Sequence, residues 1–288
     1  MRHLIAALAV SALAGAAVAQ PAQPARPARP AQPAPLEQVW RVEGLDAPES
    51  VILAPGGRSL LVSNVGGEGD AKDGNGFIAR VSLDGRVLQR TWATGLNGPK
   101  GLALKGGSLF VSDIDTLVEL DASSGRRLNA WPIADAKFLN DAAVIPAGQV
   151  LVADSGGSKI YVLDMGEIGV WLAHPDLRAV NGLLPEPGRL VVTTMQGLLL
   201  AVDYRTKAVT RLASGLGDGD GVAALAGGRY LVSEWPGRLF EVGPTGASTV
   251  IADSRAEPRF INDFIVVNGM LIVPNWKPGA LSAYRAPG

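Results

Sequence analysis

Six polar residues stand at near-regular intervals along this chain: Glu49, Lys100, Asn140, Asn181, Asp220 and Asn262, separated by 51, 40, 41, 39 and 42 residues. Asp141, Asp218 and Asp263 lie next to or near members of that set, and a second set follows it: Asn64, Asp113, Asp154, Thr194, Glu234 and Asn275. Lys100 is the only base in either. Carboxylates gathered at one place repel one another unless a cation or shared protons compensate, and Asp, Glu and Asn oxygens are the donors that Ca²⁺, Mg²⁺ and Mn²⁺ prefer. The chain has no Cys, and His3 and His174 are its only histidines. A thiolate or multi-histidine zinc site is therefore excluded, and any metal must be held mainly by oxygen. An isolated Asn-Asp or Asn-Gly pair also serves as turn chemistry. That reading applies to Asn262 and the second set. It does not suit Glu49, because Pro-Glu-Ser is not a favoured turn.

The elements that must position these residues are strands. From Leu36 onward short Val/Ile/Leu runs alternate with Gly, Asn and Asp turns, without helical periodicity. One pattern recurs six times: a polar pair, a short apolar strand, a Gly turn, then a hydrophobic strand ending in a small or polar residue. Its copies begin with PESVILAPGGRSLLVSN and end with INDFIVVNGMLIVPN. A period of ~40 to 50 residues is that of four-stranded propeller blades, so the expected fold is an all-β six-bladed β-propeller. Residues 77–82 and 87–93, joined through Asp84-Gly85, supply the third and fourth strands of the first blade. The last blade is one strand short after 280–285, and residues 38–42 are expected to close it, which hides edges that would otherwise aggregate. The start of each innermost strand shares a face with the loop between the second and third strands. Both polar sets therefore rim one mouth of the central channel. The loop at 65–76 leaves from that mouth and is positioned to act as a lid.

Composition narrows the partners. With 26 basic and 27 acidic residues the chain lacks the basic excess of a nucleic-acid binder. Arg2 and His3 precede an apolar run over 4–18, and Ala17-Val18-Ala19 supplies a signal-peptidase site. Residues 1–19 thus read as a signal peptide cleaved near Ala19, which makes the protein periplasmic or secreted. Residues 20–35 are a Pro/Ala-rich linker that favours extended polyproline II, and 36–288 form the propeller. No other segment reaches ~18 apolar residues, so no integral membrane segment is expected in the mature protein. A serine triad is excluded by the single mature-chain His174 and the missing Gly-x-Ser-x-Gly elbow, and no Walker-type phosphate loop occurs.

Four of these motifs, PES, FLND, VNGL and GDGDG, make the chain from about Leu45 onward resemble the gluconolactonase family, which includes senescence marker protein and luciferin-regenerating enzyme. The resemblance implies one divalent cation at the channel mouth (Ca, Mn, Mg or Zn), held by Glu49, Asn181 and Asp220. It further implies that Asn140 lies beside the metal and a small-molecule substrate. Phe138 stands where family members often carry a substrate-contacting Arg, and Lys100 is not a family ligand; both are read as substrate-binding. The function implied is a metal-dependent hydrolase that opens a lactone or related ester, with Asp220 or Asp218 as the proton acceptor. The alternative is a non-catalytic propeller that binds a ligand or protein, because one fold hosts many functions.

Overall fold

The computed structural model describes residues 36–256 and 260–287. The export signal and linker read at 1–35 lie outside the described residues. Twenty-four strands form six antiparallel four-stranded sheets. Blade 1 is β2 (Pro48–Leu53), β3 (Ser59–Asn64), β4 (Gly76–Ser82) and β5 (Val87–Leu96). Blades 2 to 5 repeat this order, with innermost strands β6 (Pro99–Lys105), β10 (Leu139–Val144), β14 (Val180–Glu186) and β18 (Asp218–Leu225). The sixth sheet runs β1-β24-β23-β22, where β1 (Gln38–Glu43) is the outer strand, β24 spans Ala280–Arg285, β23 spans Met270–Asn275 and β22 is only Ile265–Val267.

The closure expected from residues 38–42 is present, with Val42 opposite Leu281 and Arg41 opposite Ser282. Trp40 and Val42 pack on a cluster containing Leu281 and Ala283, so the closing strand carries core residues as well as ladder hydrogen bonds. Among the described residues no helix is long and apolar enough to cross a membrane.

Burial explains the unbroken apolar runs. The second strand β3, SLLVSN, is buried at every position, because both faces of a blade are covered by its neighbours. Fourth strands face water instead: Val87 to Thr91 of β5 are all exposed. At the Asn268-Gly269 hairpin both residues have positive φ, 51° and 72°, as a two-residue turn matching the strand twist requires.

Candidate functional site

In blades 1 to 5 the innermost strand breaks register where it starts. In blade 1 Pro48 pairs with Asn64 and Val51 with Val62, so two residues, Glu49 and Ser50, oppose the single Ser63. The same one-residue bulge places Lys100-Gly101 opposite Ser112, Asn140-Asp141 opposite Ala153, Asn181-Gly182 opposite Thr193 and Asp220-Gly221 opposite Ser233. A bulge costs ladder hydrogen bonds and re-aims side chains. Hydroxyls restore the bonds: Ser63 Oγ accepts from Ser50 N at 2.9 Å, Thr193 Oγ1 from Gly182 N at 2.8 Å and Ser233 Oγ from Gly221 N at 2.8 Å. Thr193 Oγ1 also donates to Asp220 O, and Ser112 Oγ to Asn140 O, which ties adjacent blades at the hub.

Five of the six first-set residues, Glu49, Lys100, Asn140, Asn181 and Asp220, therefore sit in bulges, a role that turn chemistry does not describe. Lys100-Gly101, Asn181-Gly182 and Asp220-Gly221 lie in bulged strands. A Cβ at Gly101 would collide with Asp141 and Ala142, one at Gly182 with Asp220 O, and one at Gly221 with Asp263. These glycines let inner strands approach closely around the axis.

The bulges bring Glu49, Lys100, Asn140, Asn181, Asp220 and Asn262 to one cavity of about 190 Å³, completed by Phe138, Met195, Trp235 and Trp276. All six polar residues are buried. Asp218 is exposed at the start of β18 and does not line the cavity. His174 caps a short 3₁₀ turn, where its Nδ1 accepts from Asp176 N at 3.1 Å. The turn reading of Asn262 holds only in part: Nδ2 donates to Pro48 O at 3.0 Å, which joins the last blade to the first, while Oδ1 faces no partner. Asp220 Oδ1 is likewise buried without a hydrogen bond.

Four carboxylates crowd this hub. Burial pushes Glu49 up to about 7, with Lys100 pulling it down and Asp263 adding to the rise. Burial likewise raises Asp263 to about 6, and it lifts Asp141 and Asp220 well above the usual carboxylate range, each pushed further by neighbouring acids. Ser50 Oγ bridges the set, lying 2.8 Å from Glu49 Oε2 and 3.1 Å from Asp263 Oδ2. Asp141 is held by main-chain amides, accepting from Ala142 N at 2.7 Å and Leu183 N at 2.6 Å.

The donor set fits a hard divalent cation. Two of the lining side chains, Glu49 and Asp220, are carboxylates, and three are amides, Asn140, Asn181 and Asn262. Among the described residues no three His, Cys, Asp or Glu side chains gather closely enough to hold a metal by themselves. A cation here would thus depend on amide oxygens, and the unpartnered Asp220 Oδ1 and Asn262 Oδ1 are the buried acceptors that a cation or donor would satisfy.

Lys100 is not free to roam the site. Its Nζ donates to Gly69 O at 2.8 Å and Gly98 O at 3.1 Å and lies 4.2 Å from the Phe138 ring centre, while burial lowers its pKa. The contact to Gly69 pins the loop at 65–75 to the mouth, and Lys72 pairs with Asp115 beside it.

Met195, Trp235 and Trp276 were not anticipated as lining residues. Each directly follows a member of the second polar set, Thr194, Glu234 and Asn275, so the position after the second strand was the available signal.

No family model matches the sequence, and no curated protein matches it. The resemblance to the gluconolactonase family is therefore without family-level sequence support. Solved structures share the fold. A streptogramin B lyase structure aligns with TM-score 0.58 at 11% identity, covering 81% of this chain and 77% of that one. A catalytically inactive virginiamycin B lyase from Staphylococcus aureus with quinupristin aligns at 0.59 and 9%, covering 83% and 95%. The Myceliophteria thermophila Cps50 (Swd1) beta-propeller domain aligns at 0.60 and 12%, covering 88% and 100%. At these identities the likeness is one of propeller fold alone.

Proposed function

We propose that this chain is an exported hydrolase that opens a lactone or related ester in the hub cavity, with a divalent cation held by Glu49, Asn181 and Asp220. The observation that carries the reading is the buried Asp220 Oδ1, which lines the cavity without a partner among three other carboxylates. When bound, such a cation supplies Lewis-acid polarisation of a carbonyl oxygen and lowers the pKa of water. Asp220 holds the proton lost by the attacking water; burial raises its carboxyl above the usual carboxylate range, which makes it a stronger base than an exposed aspartate. Asp218 is exposed and has no part in this step. Asn140, steadied by its Nδ2 contact to Ser155 Oγ at 3.3 Å, orients the substrate. Phe138 and the tryptophans exclude water around it.

The test is elemental analysis of purified protein, then hydrolysis of a lactone and ester panel before and after EDTA and after re-addition of Ca²⁺, Mn²⁺, Mg²⁺ or Zn²⁺. Stoichiometric metal with activity that falls on chelation and returns on re-addition is expected. Absence of metal binding and of turnover would replace this reading with a propeller that binds a ligand or protein.

A further inference from the structure

Resting on the hydrolase reading for its carbonyl chemistry, we infer that the substrate presents a planar, apolar and preferably aromatic body rather than a polyhydroxylated ring. The polar groups of the cavity are confined to the hub, where the inner strands begin. The walls are Phe138, Met195, Trp235 and Trp276, contributed by blades 3 to 6. Trp235 keeps 38% of its surface exposed although it packs against Phe260, tilted by 34° at 5.0 Å between ring centres. An exposed tryptophan held at a cavity rim offers a flat face to a ligand.

The remaining polar wall group is engaged elsewhere. Two of the three Nζ hydrogens of Lys100 are taken by Gly69 O and Gly98 O, and its ammonium lies 4.2 Å from the Phe138 ring centre. Away from the hub, hydroxyls of a sugar-like ring would thus meet aromatic carbon rather than donors and acceptors, and a buried hydroxyl without a partner is strongly unfavourable. Size agrees. A cavity of about 190 Å³ suits one or two fused rings, given that ~150 Å³ lined by apolar side chains accepts benzene. Gly69 closes the roof over this wall: a Cβ there would lie 3.8 Å from Phe138 Cζ and 4.0 Å from the Trp276 ring.

Two δ-lactones of the same ring size separate the possibilities on the metal-loaded full chain. 3,4-Dihydrocoumarin carries a fused benzene ring, and glucono-1,5-lactone carries hydroxyls. Dihydrocoumarin is expected to show a kcat/KM about 100-fold higher after subtraction of spontaneous hydrolysis. Trp276→Ala should raise its KM about tenfold with kcat little changed, as expected for loss of a binding face. A second readout does not need turnover: calorimetric binding of the lactam analogue 3,4-dihydroquinolin-2-one, expected for the native chain and weakened about tenfold in Trp276→Ala. Equal or better use of the glucono-lactone, or lactam binding that is absent or indifferent to Trp276, overturns the inference while leaving the hydrolase reading standing. Trp276-dependent lactam binding without hydrolysis of either lactone overturns the hydrolase reading and upholds the apolar ligand.

Discussion

The two polar rings at the channel mouth draw mostly on the same residue types, lie on neighbouring strands of each blade and are both buried, yet their oxygens live differently. In the outer ring Asp113 accepts from Asn97 N and Gly98 N, at 2.9 and 2.7 Å. Asp154 accepts from Phe138 N at 2.9 Å, Gly157 N at 3.1 Å and Lys137 N at 3.2 Å. Asn64 caps Asp46 N at 3.0 Å, and Glu234 is clasped by Arg238 through two bonds. Asn275 takes Ser282 Oγ at 2.7 Å. The inner ring leaves Asp220 Oδ1 and Asn262 Oδ1 without partners, and its acids are lifted by burial and by one another. A buried polar group answered by the protein's own backbone builds the scaffold. One left unanswered is held ready for something the chain does not itself supply.

The sharpest way to break this contrast is a pair of substitutions. Asp220→Asn keeps size and one oxygen but removes the charge and the proton acceptor. Turnover of any lactone substrate at saturating metal should fall ~10²- to 10⁴-fold, with weaker metal affinity by titration. Stability of the metal-free protein should be equal or higher, because an acid crowded by three other carboxyls and left with an unpartnered oxygen is replaced by a neutral amide. Wild-type turnover in this variant would end the catalytic assignment.

Asp154→Ala should do the reverse. Three main-chain N–H groups lose a charged acceptor, which costs about 3 kcal/mol and lowers Tm by roughly 6–12 °C for a domain of this size. Metal affinity should be nearly unchanged, since no inner-ring donor is removed. A denaturation curve that matches wild type would show that the outer ring is not the scaffold.

The blade count, the strand order and the closing strand were legible in the sequence because six copies at one period have few other folds to enter. Membership of the inner ring was legible for the same reason, since equivalence to Glu49 carried Asn262 with it. What each member does there was less so. The Asn-Gly and Asp-Gly pairs read naturally as turns, yet they lie in bulged strands, and a one-residue bulge leaves no trace in hydrophobic periodicity. Its one sequence mark is the hydroxyl opposite, Ser63, Thr193 and Ser233 in VSN, VTT and VSE. The two wall tryptophans were not legible because Trp235 ends its strand and Trp276 follows one, at blade ends where period carries no information about direction. Asp218, adjacent in sequence to the hub, faces water because it precedes the bulge that turns Asp220 inward.

The smallest expected effect is on the pH dependence of stability, and its sign follows from the inner ring alone. Glu49, raised from 4.5 to about 7, and Asp263, raised to about 6, hold protons in the folded chain that the unfolded chain releases. Between the ordinary carboxylate range and about pH 7 the native state therefore binds more protons than the unfolded one, and raising the pH favours unfolding. The stabilisation is complete below the unfolded values and is lost as pH rises through 6 and 7. For the metal-free protein in EDTA, Tm should drop by at least ~3 °C between pH 5 and pH 8. A divalent cation needs the carboxylates ionised, so the Tm gain from saturating metal should be larger at pH 8 than at pH 5. Glu49→Gln should flatten the metal-free profile, whereas Asp154→Ala should lower it at every pH through its lost main-chain hydrogen bonds. A metal-free Tm that rises steadily from pH 5 to pH 8 would mean that the inner acids are satisfied within the protein, as Asp113 and Asp154 are by main-chain amides.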